Sequence, residues 1–220
     1  MKRRILLGCC FLAVAVQIFA QSATTVVEND QVKVLTVTVQ PHQKTRLHDH
    51  KVNRVMVYLQ PGGQTIDYQD GKKVVLDWKK GEAKWSPASG MHIAEITSDN
   101  PVTIVEIELK RAGTPAKAGV SPLDPVKVDP KHYKVEFENN QVRVIRVTIG
   151  PKDSIPMHEH VLNRVVTYLT DQNAEAVTAD GKVEHSSHRK GDVSWGGAVK
   201  HREQNLSETP LEVLVVELKG

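Results

Sequence analysis

Two short motifs carry most of the chemistry available to this chain. His48-Asp49-His50 and His158-Glu159-His160 each place two imidazoles two residues apart. On a β-strand, where side chains alternate between faces, both rings of such a pair point to one side. A third histidine follows roughly forty residues later in each case, His92 after the first pair and His201 after the second. Three neutral imidazoles suit Fe, Mn, Ni, Cu or Zn and leave coordination positions open for water or substrate. Six of the ten histidines fall into this matched pattern, which scattered surface histidines would not do.

The elements that must position these residues come as an internal duplication. Residues 28–60 align without a gap onto 138–170 at a constant offset of 110, with 15 of 33 positions identical. The offset persists through Asp70-Gly71-Lys72 and Asp180-Gly181-Lys182, Gly81 and Gly191, and Trp85 and Trp195. A one-residue deletion then pairs His92 with His201. Each copy reads as β. Val32 to Val39 alternates apolar and polar positions with many β-branched residues, Val55 to Leu59 is more continuously apolar, and Asp-Gly marks a hairpin. No stretch of ten or more residues carries a helical stripe. Several short strands in under about 100 residues predict a small sandwich or jelly roll. The expected domains are 21–112 and 126–220, joined by a proline-rich linker at 113–125.

The chain opens with Met1-Lys2-Arg3-Arg4 and an apolar run from Ile5 to Ala20. That is the pattern of a secretory signal peptide over residues 1–20, too short to favour a membrane span. It predicts a periplasmic or secreted protein with no membrane attachment after cleavage. Cys9 and Cys10 are the only cysteines and lie in this segment, so cleavage leaves no thiol for a disulfide, a metal or a nucleophile; lipidation of Cys9 is the less favoured alternative. The formal charge of +3 equals the contribution of Lys2, Arg3 and Arg4. The rest is neutral with scattered charges, which argues against nucleic acid as a partner.

The histidine pairs and the later histidines resemble the two motifs of the cupin superfamily, and two copies resemble a bicupin. Pro41 and Pro151 stand near the first motif's usual glycine, and Gly81, Pro87, Gly90 and His92 fit the second motif, as do Gly191, His201 and Asn205. The resemblance implies an all-β protein of two tandem cupin-type jelly-roll barrels, each with a divalent transition metal (Fe, Mn, Zn or Ni) held by His48, His50 and His92 or by His158, His160 and His201. The sequence departs from the pattern at one place. The glutamate that usually completes the metal site falls at Arg54 and Arg164. At an effective dielectric of about 20, a divalent ion and a guanidinium 5 Å apart repel by roughly 6–7 kcal/mol. Either the arginine turns aside to a carboxylate such as Asp49 or Glu159, or an anion bridges metal and arginine, or no metal binds. The second arrangement is preferred, with Arg54 and Arg164 anchoring a small anionic or enolisable molecule, because guanidinium geometry suits carboxylates. Glu95 and Glu106 have Gln204 and Val215 as counterparts, so neither replaces the missing ligand in both copies.

Tyr58 and Tyr168 share strand parity with the arginines and are candidates to line the cavity, although core packing is the commoner role. Asn53 and Asn163 would orient a substrate or stabilise a turn. Trp85 and Trp195 are expected to pack the barrels, and His185 and His188 to be exposed. The functional reading is an exported metal-binding bicupin, with dioxygenase- or isomerase-like catalysis set against a non-catalytic small-acid or sugar-binding module. A pure scaffold would not need six histidines in register. Homo-oligomerisation is left open.

Overall fold

The computed structural model describes residues 22–114 and 118–220. The predicted signal peptide of residues 1–20, with both cysteines, and linker residues 115–117 lie outside the described residues. The first copy contributes β1 (Ser22–Glu28), β2 (Val32–Val39), β3 (His48–His50), β4 (Arg54–Tyr58), β5 (Gly62–Tyr68), β6 (Lys73–Trp78), β7 (Glu82–Ser86), β8 (Ser89–Ile96) and β9 (Val102–Leu109). After one helical turn, α1 (Pro125–Val128), the second contributes β10 (Tyr133–Glu138), β11 (Val142–Ile149), β12 (Ser154–His160), β13 (Arg164–Tyr168) and β14 (Gln172–Thr178). It closes with β15 (Val183–His188), β16 (Val193–Gly196), β17 (Val199–Asn205) and β18 (Leu211–Leu218).

Each copy folds into a five-stranded and a four-stranded antiparallel sheet. The orders are β1-β2-β9-β4-β7 with β3-β8-β5-β6, and β10-β11-β18-β13-β16 with β12-β17-β14-β15. Renumbered by nine, the two topologies are identical, as the duplication requires. Both Asp-Gly hairpins form, with Gly71 at φ 89° and Gly181 at φ 87°, a conformation that a side chain would strain. Even a bulge is shared, between Thr25 and Val27 in β1 and between Val135 and Phe137 in β10.

The five-stranded sheets are apolar on both faces. Inward residues such as Val37, Met56, Tyr58 and Ile104 form the core of the first barrel, and Ile145, Ile149, Leu211 and Val213 that of the second. The outward residues Val32, Val34, Val55, Val57, Val105 and Ile107 pack instead against Val142, Val144, Val165, Leu214 and Val216. The two barrels are thus joined face to face through their larger sheets. This is why Val55 to Leu59 reads as continuously apolar: a strand buried on both sides has no polar face. At about 1.5–3 kcal/mol per fully buried aliphatic side chain, the seam is a major part of the stability of the whole.

Polar groups register the seam. Asn53 Nδ2 donates to Gln141 Oε1 at 2.5 Å, and its pseudosymmetric mate Asn163 Nδ2 donates to Gln31 Oε1 at 2.7 Å. Asn53 Oδ1 also accepts from the Ala88 amide at 2.8 Å. The two asparagines are therefore brought to the junction between the copies and not into either barrel. Trp85 likewise packs on the junction core, and Trp195 remains 36% exposed. Neither fills a barrel, contrary to expectation, because odd-numbered positions of these strands face outward.

Candidate metal centres

Antiparallel pairing of β3 with β8 sets His48 directly opposite His92, and pairing of β12 with β17 sets His158 opposite His201. His50 and His160 lie two residues along on the same inner face. The result is two three-histidine clusters, each with one ligand nitrogen per ring and all three nitrogens within 4.8 Å of one another. Ring centroids are 4.4–5.3 Å apart in the first cluster and 4.5–5.9 Å in the second.

Backbone and carboxylate acceptors orient the rings. His48 and His92 donate from Nδ1 to the carbonyls of Arg46 and Gly90, at 2.7 and 2.8 Å. His158 donates from Nδ1 to the Pro156 carbonyl at 2.9 Å, and His160 from Nδ1 to Glu217 Oε1 at 2.8 Å. Each such bond leaves Nε2 as the lone-pair nitrogen facing the centre, the role that outer hydrogen bonds play for metal-ligating histidines. His201 Nε2 is buried and has no partner. A buried, unpartnered imidazole nitrogen facing two others costs stability unless something occupies the gap, and a cation does so naturally. The residues present fit a transition-metal ion.

Burial favours the neutral form of His50, His92, His158, His160 and His201, the form that a ligand must have. Burial first, then the Arg54 guanidinium and the neighbouring rings, pushes His50 down to about 3. His158 is lowered to about 4 and His201 to about 2, again chiefly by burial. His92 and His160 shift in the same direction for the same main reason.

The surroundings of the two clusters differ. In the first barrel Arg54 lies buried, with both terminal nitrogens partnered and Nε without a partner. Its Nη1 donates to Glu106 Oε2 at 3.2 Å and contacts His50 Nε2 at 2.8 Å, while Nη2 donates to Ser86 Oγ at 2.9 Å. The carboxylate that meets Arg54 is therefore Glu106 of β9. Asp49 pairs with Lys51, and Glu159 accepts from Ser121. Burial lifts the Glu106 carboxyl above its usual range although Arg54 beside it pulls the other way. Glu95 is at the surface with Lys44.

In the second barrel both partners of the arginine are gone. Gly196 stands where Ser86 was, and Val215 where Glu106 was. Arg164 donates to the Gly197 carbonyl and forms no ion pair among the described residues. It lies close enough to lower the pKa of all three imidazoles of its cluster. Glu203, on the parity of His201 in β17, replaces Ala94; burial pushes its carboxyl up to about 7, against the pull of Arg164. Tyr133, on β10, sits where β1 has Ala23, and its hydroxyl lies 3.0 Å from His158 Nε2.

Glu217 links the second cluster to a wider network. It accepts from Arg143 Nε at 2.8 Å as well as from His160, and Arg143 Nη2 reaches Asp124, the cap of α1, at 2.5 Å. Burial alone would raise the Glu217 carboxyl, but its hydrogen bonds to His160 and Arg143 hold it below the usual range. The sequence reading did not single out Glu217, Arg143, Tyr133 or Glu203. Strand parity is the signal that would have found Glu217, since it shares the inward face of β18 with Leu211, Val213 and Val215.

Tyr58 stacks on Trp78 at 4.2 Å in the first barrel core. Tyr168 stacks on His188 at 3.9 Å and its hydroxyl meets Ser194 at 3.0 Å. His188 therefore takes the place of Trp78 and is turned inward, not exposed as expected. His185 is exposed.

No family model matches the chain, and no curated protein matches it. Among solved structures, oxalate decarboxylase from Bacillus subtilis is similar over 89% of this chain and 71% of its own, with a TM-score of 0.63 and 14% identity. AerE from Microcystis aeruginosa covers 90% of this chain and 97% of its own at a TM-score of 0.61 and 12% identity. A cupin 2 conserved barrel domain protein from Leptotrichia buccalis covers 91% and 90% at 0.56 and 14%. At such identities the likeness establishes the fold, which is that of a bicupin.

Proposed function

We propose that this bicupin-fold chain is an exported metalloprotein that holds a divalent transition metal in its three-histidine clusters and takes a small anionic or enolisable molecule beside it. The observation that carries the reading is the second barrel. Three neutral imidazoles converge there, one of them with an unpartnered buried nitrogen, next to a guanidinium that forms no ion pair among the described residues. Export rests on the leader pattern of residues 1–20.

When bound, the metal would supply Lewis acidity to an oxygen of the ligand. The chain's own contributions are distinct from this. Arg164 offers paired N–H donors to a carboxylate or enolate oxygen. Burial within the barrel limits water access and strengthens that contact. Glu217 fixes the ring orientation of His160. In the first barrel, Glu106 already neutralises Arg54, which favours a barrel that does not take an added anion. Manganese is a natural first candidate among Fe, Mn, Zn and Ni, since the similar oxalate decarboxylase contains Mn(II) centres.

Elemental analysis of residues 21–220, purified without chelator or histidine tag, tests the metal. We expect transition metal in the wild type and its loss in the His48→Ala/His158→Ala double variant. Protein that neither contains nor takes up metal refutes this part of the reading. Calorimetric titration with oxalate, acetate and 2-oxo acids tests the anion. Binding that is indifferent to Arg164→Gln refutes that part.

A further inference from the structure

Resting on the metal reading above, we infer that Tyr133 is a fourth protein ligand of the second metal site, standing in for the carboxylate that Arg164 displaces.

The geometry is specific. The Nδ1–H of His158 is committed to the Pro156 carbonyl, so the lone pair on Nε2 is the one available to a cation. The Tyr133 hydroxyl lies 3.0 Å from that nitrogen. Two ligand atoms at right angles on a coordination sphere of about 2.0–2.1 Å radius lie about 3 Å apart. The hydroxyl therefore already sits at the separation of neighbouring ligand atoms. Its ring is packed beside two of the three histidines, with centroids 5.2 Å from His158 and 6.4 Å from His160. Tyr133 is 2% exposed, so the hydroxyl has no other use in bulk water.

Comparison of the copies adds a second observation. β1 and β10 share their bulge and pair with equivalent residues, Ala23 with Val37 and Tyr133 with Val147. Tyr133 is thus an outright gain at a position where the first copy has an exposed alanine, and only in the barrel whose arginine forms no ion pair among the described residues. Coordination forms one bond from the phenol oxygen to the metal and releases the phenol proton to solvent. The His158 lone pair, no longer accepting that O–H, turns to the same ion. The second site becomes three histidines and a phenolate, whereas the first has Ala23 at the equivalent position and a different tyrosine, Tyr68, beside His92, with ring centroids 5.1 Å apart.

The test isolates the second site with His48→Ala/His50→Ala, loads residues 21–220 with ferrous iron, and oxidises it with ferricyanide. A visible phenolate-to-iron charge-transfer band is expected, together with tyrosinate modes in the resonance Raman spectrum. In the same background, Tyr133→Phe keeps the ring and its packing. It is expected to remove the band and to weaken zinc binding, measured by chelator competition, tenfold or more. Bound iron without the band, or a band that survives Tyr133→Phe, overturns the phenolate ligand and leaves the metal reading intact. Protein that binds neither iron nor zinc at this site overturns both.

Discussion

The two barrels share a topology, a bulge and three histidines, yet one arginine is closed off by its neighbours and the other is left open. In the first barrel Arg54 spends its donors on Glu106, Ser86 and the His50 ring. In the second, the exchanges Glu106 to Val215 and Ser86 to Gly196 strip those partners from Arg164, and Tyr133 and Glu203 are added around the cluster. The comparison teaches that an arginine beside a metal cluster has no fixed meaning. Its partners decide whether it is part of the packing or a hand held out to a ligand. Duplication preserved what positions the histidines and varied what stands next to them.

The largest effect expected is on stability, and it should fall on one barrel only. Glu106→Gln leaves the buried Arg54 charge without its counterion, which typically costs about 3–5 kcal/mol. Arg164→Gln breaks no ion pair among the described residues and should change stability by less than about 1 kcal/mol. Urea denaturation of the two variants measures the difference; equal losses would mean that Arg164 has a structural partner after all. The next effect is on metal. Glu217→Gln weakens the acceptor that orients His160, and loss of such a partner lowers metal affinity roughly 10–100-fold. Chelator competition in the His48→Ala/His50→Ala background would detect it. The same substitution should leave the first site unchanged, because His50 has no contact with Glu217.

Much of this asymmetry was hidden in the sequence, although the framework was not. Strand alternation, the Asp-Gly turns and the offset of 110 made the all-β duplication legible, and the spacing of His48, His50 and His92 made each cluster legible. The replacement of a usual ligand by Arg54 and Arg164 was visible too. Its consequence was not, because the acid that meets Arg54 comes from β9, some fifty residues away, and register across the sheet cannot be read from repeats. The same applies to Tyr133, which reaches His158 from β10 and has only an alanine as its counterpart. The junction roles of Asn53, Asn163 and Trp85 are not legible because nothing in one copy reveals that its outer sheet face is buried on the other copy. Unbroken apolarity in Val55 to Leu59 was the one hint of a second buried face.

The smallest expected effect is the sharpest probe of the comparison, because it converts one barrel into the other. Val215→Glu with Gly196→Ser restores to Arg164 the two partners that Arg54 has. A side chain built at Gly196 would come within 3.0 Å of the end of the Arg164 side chain, so the new hydroxyl lies where the guanidinium can shift slightly and bond to it. Val215 pairs with Val166 in β13 as Glu106 pairs with Met56 in β4, so the introduced carboxylate should fall in the corresponding place. An internal carboxylate competes with any added anion at full effective concentration. Anion affinity in the second barrel should therefore drop about tenfold, near 1.4 kcal/mol, while the histidine cluster is left in place. If the grafted barrel still binds oxalate or a 2-oxo acid as the wild type does, the anion is held by groups other than Arg164. The difference between the two barrels would then lie in Tyr133 and Glu203, not in the arginines.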